Sequence, residues 1–212
     1  MHASARIRTL NIHHLFIIKI WLSSMDATGY ARLIARIERF AGKYCKEDPD
    51  MNREFWSHVQ LVREFAVRLA EMEGADRQVV ELAALLHDIG RHKGRKDHNI
   101  RGYEMTKNFF EGINLPQKRK NLILKCILKH QSRFHSEDNE FEVKVVQSAD
   151  TLAALFSDEW QEYCRKTIGR DELLKFYDKA TELLNLESAR KLAEPQIEKL
   201  KKLAREQQVQ HA

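Results

Sequence analysis

The feature that most constrains this chain is an apolar helical run, Ala83-Ala84-Leu85-Leu86, that passes directly into His87-Asp88 and stops at Gly90. A carboxylate at the end of a buried helix costs several kcal/mol, on the order of 2–7 for any uncompensated polar group and more for a charge, unless it meets a counter-charge. Two other residues sit on apolar helical faces in the same way. His58 follows Phe55 by three positions and precedes Val62 by four, so it points inward with Val59, Phe65-Ala66 and Leu69. Asp150 shares its side with Val143, Val146, Ala149 and Ala153. Taken singly, His58 reads as a satisfied core histidine and Asp150 as a cap or helix-bonding carboxylate. The adjacent pair His87-Asp88 is harder to dismiss, and the four together favour a metal site. Two imidazoles and two carboxylates make a mixed nitrogen and oxygen ligand set with room for water, as metal-assisted hydrolysis requires. Manganese, iron, cobalt, nickel, zinc and magnesium all suit such a set.

The rest of the composition supports an all-α protein. Eight glycines and three prolines in 212 residues, against 32% charged side chains, describe few turns and many solvated helix faces. The 36 basic and 31 acidic residues are interspersed, so the net charge of +5 argues for solubility more than for nucleic acid. Cys45, Cys126 and Cys164 are odd in number and far apart, which excludes a disulfide framework and a Cys-x-x-Cys zinc site and points to a reducing cytoplasm. The apolar run Leu15–Leu22 is broken by Lys19 and falls short of the roughly 20 residues that span a bilayer. It makes a poor signal peptide as well, because Ser23-Ser24-Met25-Asp26 offers no small-x-small cleavage site. Residues 1–27 are therefore expected to be an N-terminal appendage, or a misassigned start with translation beginning at Met25. The core is expected over 28–157, with C-terminal helices over 158–212 packing on it or extending it. No pattern specifies the oligomeric state.

Periodicity predicts a helix from Tyr30 to about Lys46, a second capped by Asn52 and ended by Gly74, and a third capped by Asp76 that runs to His87-Asp88. Arg91 to His98 lacks apolar periodicity and reads as an exposed basic loop. A helix is expected over Asn99–Phe110, another begins near Pro116 and closes at His130, and a third covers Glu140–Phe156. Beyond Asp158 two or three amphipathic helices are expected, with breaks at Gly169 and near Leu186-Glu187.

The order His58, then Leu85-Leu86-His87-Asp88-Ile89-Gly90, then Val145-Val146-Gln147-Ser148-Ala149-Asp150-Thr151-Leu152 resembles the HD superfamily of metal-dependent phosphohydrolases over roughly Asn52 to Leu155. The resemblance implies a single-domain all-α HD fold and metal ligation by His58, His87, Asp88 and Asp150. It also implies active-site positions for His98, followed at the fourth place by Gly102, and for His130, as substrate contacts or as ligands of a second metal. One ion is favoured over two. Ser148 stands where relatives often carry an acidic residue. Glu104 in place of a proline after Gly102-Tyr103 argues against the cyclic-dinucleotide phosphodiesterases, and no Glu-Asp pair follows Asp88 as in the alarmone hydrolases.

The basic residues that follow the central motif, Arg91, Lys93, Arg95 and Lys96, together with Arg133, can bind phosphate oxygens through charge-assisted hydrogen bonds. The expected function is hydrolysis of a phosphate mono- or diester, a nucleotide or other small phosphorylated metabolite, with Asp88, His98 and His130 as catalytic groups. The alternative is a non-catalytic module in which a structural metal braces the core and the basic loop binds nucleic acid or protein.

Overall fold

The structure, a computed structural model, describes residues 27–49 and 53–206. Asn52, the expected cap, and residues 1–26 of the expected appendage lie outside them. The chain divides into two compact units, Met1–Ala35 and Arg36–Ala212. Of the first, the described residues 27–35 are helical.

Among the described residues there are nine α-helices: α1 Ala27–Ala41, α2 Trp56–Glu73, α3 Arg77–Leu86, α4 His98–Phe110, α5 Gln117–Lys129, α6 Phe141–Phe156, α7 Asp158–Thr167, α8 Arg170–Glu182 and α9 Glu187–Glu206. A two-residue antiparallel ladder, β1 Glu47–Asp48 with β2 Arg53–Glu54, joins α1 to α2. The first helix ends at Ala41, short of the expected Lys46, because backbone turns through Cys45 lead the chain into that ladder.

The end signals of α2 and α3 work as their chemistry dictates. Gly74 takes the left-handed conformation at φ 76° and returns its N–H to Ala70 O. The Asp76 carboxylate accepts from the N–H groups of Gln78 and Val79, satisfying two orphan donors of α3. Every residue from Val79 to Leu86 is buried, so α3 is the central helix, with α2, α5 and α6 packed around it. Truncating Leu85 or Leu86 there would cost roughly 2–5 kcal/mol. Its one buried carboxylate, Glu81, is held by Arg63 at 2.6 and 2.9 Å, and Arg63 also reaches Glu38 at 2.8 Å. Beyond α6, helices α7 to α9 continue the chain, and α9 packs against α8, α6 and α2. No described helix is long and apolar enough to cross a membrane.

The segment expected to be an exposed loop is partly ordered and partly buried. Ile89–Lys93 form a 3-10 turn, Arg91 is buried, and His98 opens α4 one residue earlier than expected. The physical reason is Arg101, which gathers the loop from within: its guanidinium donates to Gly90 O at 3.0 Å, to Lys96 O at 2.5 Å and to Gly94 O. A loop whose carbonyls converge on one cation has no need of apolar residues to hold it.

Candidate metal centre

Five helices bring their ends or faces to one place. His58 stands in the first turn of α2, His87 and Asp88 just past α3, His98 at the start of α4, His130 just past α5 and Asp150 within α6. His87, Asp88, His98 and His130 are buried, while the side chain of Asp150 keeps 30% of its exposure and opens toward a cavity.

Three of the histidines are set by one local device. His87 Nδ1 lies 2.7 Å from Ala84 O, His98 Nδ1 2.6 Å from Arg95 O and His130 Nδ1 2.7 Å from Ile127 O, each partner three residues earlier. A carbonyl can only accept, so each Nδ1 carries the proton and each Nε2 of a neutral ring presents a lone pair. Those lone pairs converge on carboxylate oxygens. His87 Nε2 is 3.3 Å from Asp88 Oδ2 and 3.9 Å from Asp150 Oδ1; His58 Nε2 is 4.0 and 3.2 Å from the same two oxygens. The other oxygen, Asp88 Oδ1, lies 2.9 Å from His98 Nε2 and 3.3 Å from His130 Nε2, and those two nitrogens are 3.0 Å apart.

Lone pairs facing lone pairs and anionic oxygens repel. The arrangement requires positive charge in the gaps, either protons on the rings or a cation. A divalent ion fits: ligand bonds of about 2.1 Å place neighbouring donor atoms ~3.0–3.4 Å apart, close to the spacing seen. His87 Nε2 is fully buried and has no hydrogen-bond partner, the condition of a ligand atom. Among the described residues, two groups bring one ligand atom each within 4.8 Å of one another, His58 with His87 and Asp88, and Asp88 with His98 and His130.

Electrostatics report the same demand. Burial alone would lower the affinity of His87 for a proton, yet the charge of the adjacent Asp88 carboxylate, with help from Asp150, pushes its pKa up to about 9. Burial would raise Asp150, but the His58 hydrogen bond and the His87 charge hold it down at about 2. Asp88, against its burial, is held well below the usual carboxylate range by His87, His130 and His98. A site that draws protons onto imidazole so strongly also draws a metal cation, which competes for the same lone pairs.

The cluster forms one end of a cavity of about 390 Å³, within the range of small-molecule sites. Arg91, Arg95 and Arg133 line it. Arg91 lies 4.6 Å over the Phe55 ring, with Nη1 3.7 Å from Asp88 Oδ2. Lys93 and Lys96 are exposed and not in the lining. Trp160 and Phe176 of the C-terminal helices do line it, and neither was singled out from sequence. On amphipathic helices an aromatic that faces a cavity has the same spacing as one that faces the core, so periodicity carries no signal for it.

Residues 55–155 match the HD domain family. The fold is similar to a protein from an uncultured Thermotogales bacterium described as a predicted HD superfamily hydrolase, at 26% identity and TM-score 0.59, covering 85% of this chain and 92% of that one. It is also similar to Bacillus subtilis YpgQ in complex with ADP, at 22% identity and TM-score 0.54, covering 84% and 97%. A stretch of 51 residues, 24% of the chain, is 47% identical to a tRNA (cytidine(56)-2'-O)-methyltransferase of Picrophilus torridus and spans only 15% of that enzyme. The whole histidine and aspartate cluster lies within residues 55–155, the stretch that matches the HD domain family.

Proposed function

We propose that the protein is a metal-dependent phosphohydrolase acting on a phosphate mono- or diester, with a nucleotide or similar small phosphorylated metabolite as substrate. The observation that carries this reading is the juxtaposition of carboxylate and imidazole lone pairs with three arginines at one end of a cavity of about 390 Å³. His58, His87, Asp88 and Asp150 would hold one divalent ion. Bound there, the ion supplies Lewis-acid polarisation of a phosphoryl oxygen and acidifies a water.

The chain's own groups do the rest. Arg91, fixed by the Phe55 face, together with Arg95 and Arg133 binds the remaining phosphate oxygens. Asp88, held as a carboxylate, accepts hydrogen bonds from the attacking water and orients it. His98 and His130 face the same carboxylate from its other oxygen and contact the phosphate, their rings held in place by Arg95 O and Ile127 O. The loop that carries Arg91 and Arg95 is positioned by Arg101 through three carbonyls. The ADP complex of YpgQ supports the choice of a nucleotide. Three free, buried cysteines support a reducing compartment.

The test is phosphate release from a panel of nucleotides and sugar phosphates, each with manganese, cobalt, nickel, zinc and magnesium. Metal-dependent release is expected. Absence of release with every metal, together with salt-sensitive retention of RNA or DNA, would replace this reading with that of a non-catalytic binding module.

A further inference from the structure

The cavity is too roomy and too uneven to be only a phosphate site. Asp150 and Ala154 both line it from α6, four residues and so about 6 Å apart along the helix axis. From Ala154 onward the lining is Trp160, Phe176, Ala180 and Leu183, all beyond the residues that match the HD domain. Trp160, Phe176 and Leu183 remain half-buried, so their apolar faces are turned to the cavity and not to the core.

This wall is built, and its framework is buried. The Ser157 hydroxyl accepts from Trp160 N at 3.1 Å and fixes the first turn of α7 directly behind α6. Gln161, next to Trp160, donates its Nε2 to Ala154 O at 2.8 Å and accepts the Tyr177 hydroxyl at 2.7 Å. Gln161 and Tyr177 are 2% and 0% exposed. In each pair, Trp160-Gln161 and Phe176-Tyr177, one residue is anchored by that hydrogen-bond chain and its neighbour is presented to the cavity. Rings held in this way lose little freedom when a ligand stacks on them.

We propose that α7 and α8 form an aromatic compartment for the planar base of a nucleoside phosphate, whose phosphate lies at the histidine and arginine end. The inference rests on the proposed phosphate site and adds what selects the ester. A flat heteroaromatic ring stacks on Trp160 and Phe176. A bare sugar phosphate would leave the apolar faces of Trp160, Phe176 and Leu183 without a stacking partner, and would be disfavoured against a nucleotide.

The metal-loaded protein is assayed with adenosine 5′-monophosphate and with ribose 5-phosphate, which share the phosphorylated sugar and differ in the base. A preference for the nucleotide is expected. In W160A and F176A that preference should fall by about 5- to 150-fold, the range of one stacking contact, through KM more than kcat. W160F, which keeps a ring, should restore most of it. Binding is read independently by quenching of tryptophan fluorescence on adding adenosine 5′-monophosphate, with W160F removing the contribution of Trp160. Equal cleavage of the two esters, with a preference that W160A does not move, would overturn the compartment and leave the phosphohydrolase reading intact. Quenching assigned to Trp160 without phosphate release from any ester would overturn the phosphohydrolase reading and leave the compartment standing.

Discussion

The two ends of the cavity are made by different means. At the cluster end, buried charged groups are aimed by backbone: histidine Nδ1 atoms pinned to carbonyls three residues back, and a loop pinned to Arg101. At the aromatic end, half-buried rings ride on helix faces whose spacing is set by side-chain bonds through Gln161. The first end cannot relax without stranding charge in a low dielectric, whereas the second can repack at modest cost. If the proposed roles hold, reaction and choice of substrate belong to different ends, and mutations should separate them.

The largest effect is expected at Asp88, the one residue shared by both ligand groups. D88N should lower kcat by about 10³-fold or more and strip the bound metal, since it removes ligand charge and lone-pair geometry together. Metal content by elemental analysis and turnover should fall together. A folded D88N protein with normal turnover would break the assignment of the cluster end as the reaction centre.

Next in size is a change outside the ligands. A Cβ on Gly90 would stand 2.1 Å from His98 O and 2.7 Å from Gly102 N, both backbone atoms that cannot swing aside. G90A should therefore destabilise the protein by about 1–3 kcal/mol or more and disturb the placement of His98. Thermal unfolding measures the first effect, and turnover at a permissive temperature the second.

Arg101 touches no ligand directly and holds three loop carbonyls. R101A should reduce activity by roughly 10–100-fold, the usual penalty for losing an outer support of a metal site. R101K should recover part of it, because an ammonium reaches fewer of those carbonyls. An R101A protein of unchanged activity would show that the loop is held by its own turns.

The smallest effect sharpens the electrostatic side of the comparison. In metal-free protein the raised pKa of His87, about 9, means that its proton stabilises the folded state below the ordinary histidine range. That contribution should be lost as pH rises through about 9. Metal replaces the proton, so the metal-loaded protein should lack this component. Urea unfolding of both forms between neutral and alkaline pH gives the comparison, and identical slopes would contradict it.

Much of this was legible in the residues. Asp76 and Gly74 announced the ends of their helices because capping is a contact within a few residues of chain. The inward placement of His58 followed from its spacing to Phe55 and Val62. Arg91 was less legible: in sequence it is one cation in a basic run, and its burial follows from Arg101 and Phe55, ten and thirty-six residues away in opposite directions. The same run contained Lys93 and Lys96, which the fold leaves in solvent. Trp160 and Phe176 were not legible at all, since nothing in an amphipathic helix tells which neighbour its apolar face will meet.

The sequence by itself determined the all-helical class, the end points of the central helices and four of the groups that meet at the cluster, His58, His87, Asp88 and Asp150, while His98 and His130 entered through the resemblance to the HD superfamily. Periodicity, capping and the cost of unpaired charge act within one helix and can be read there. The tertiary structure decided which oxygen of Asp88 faces which histidine, which arginines reach the cavity and what closes its far end. Those outcomes depend on helices far apart in the chain packing at particular depths and angles, and no local pattern encodes them.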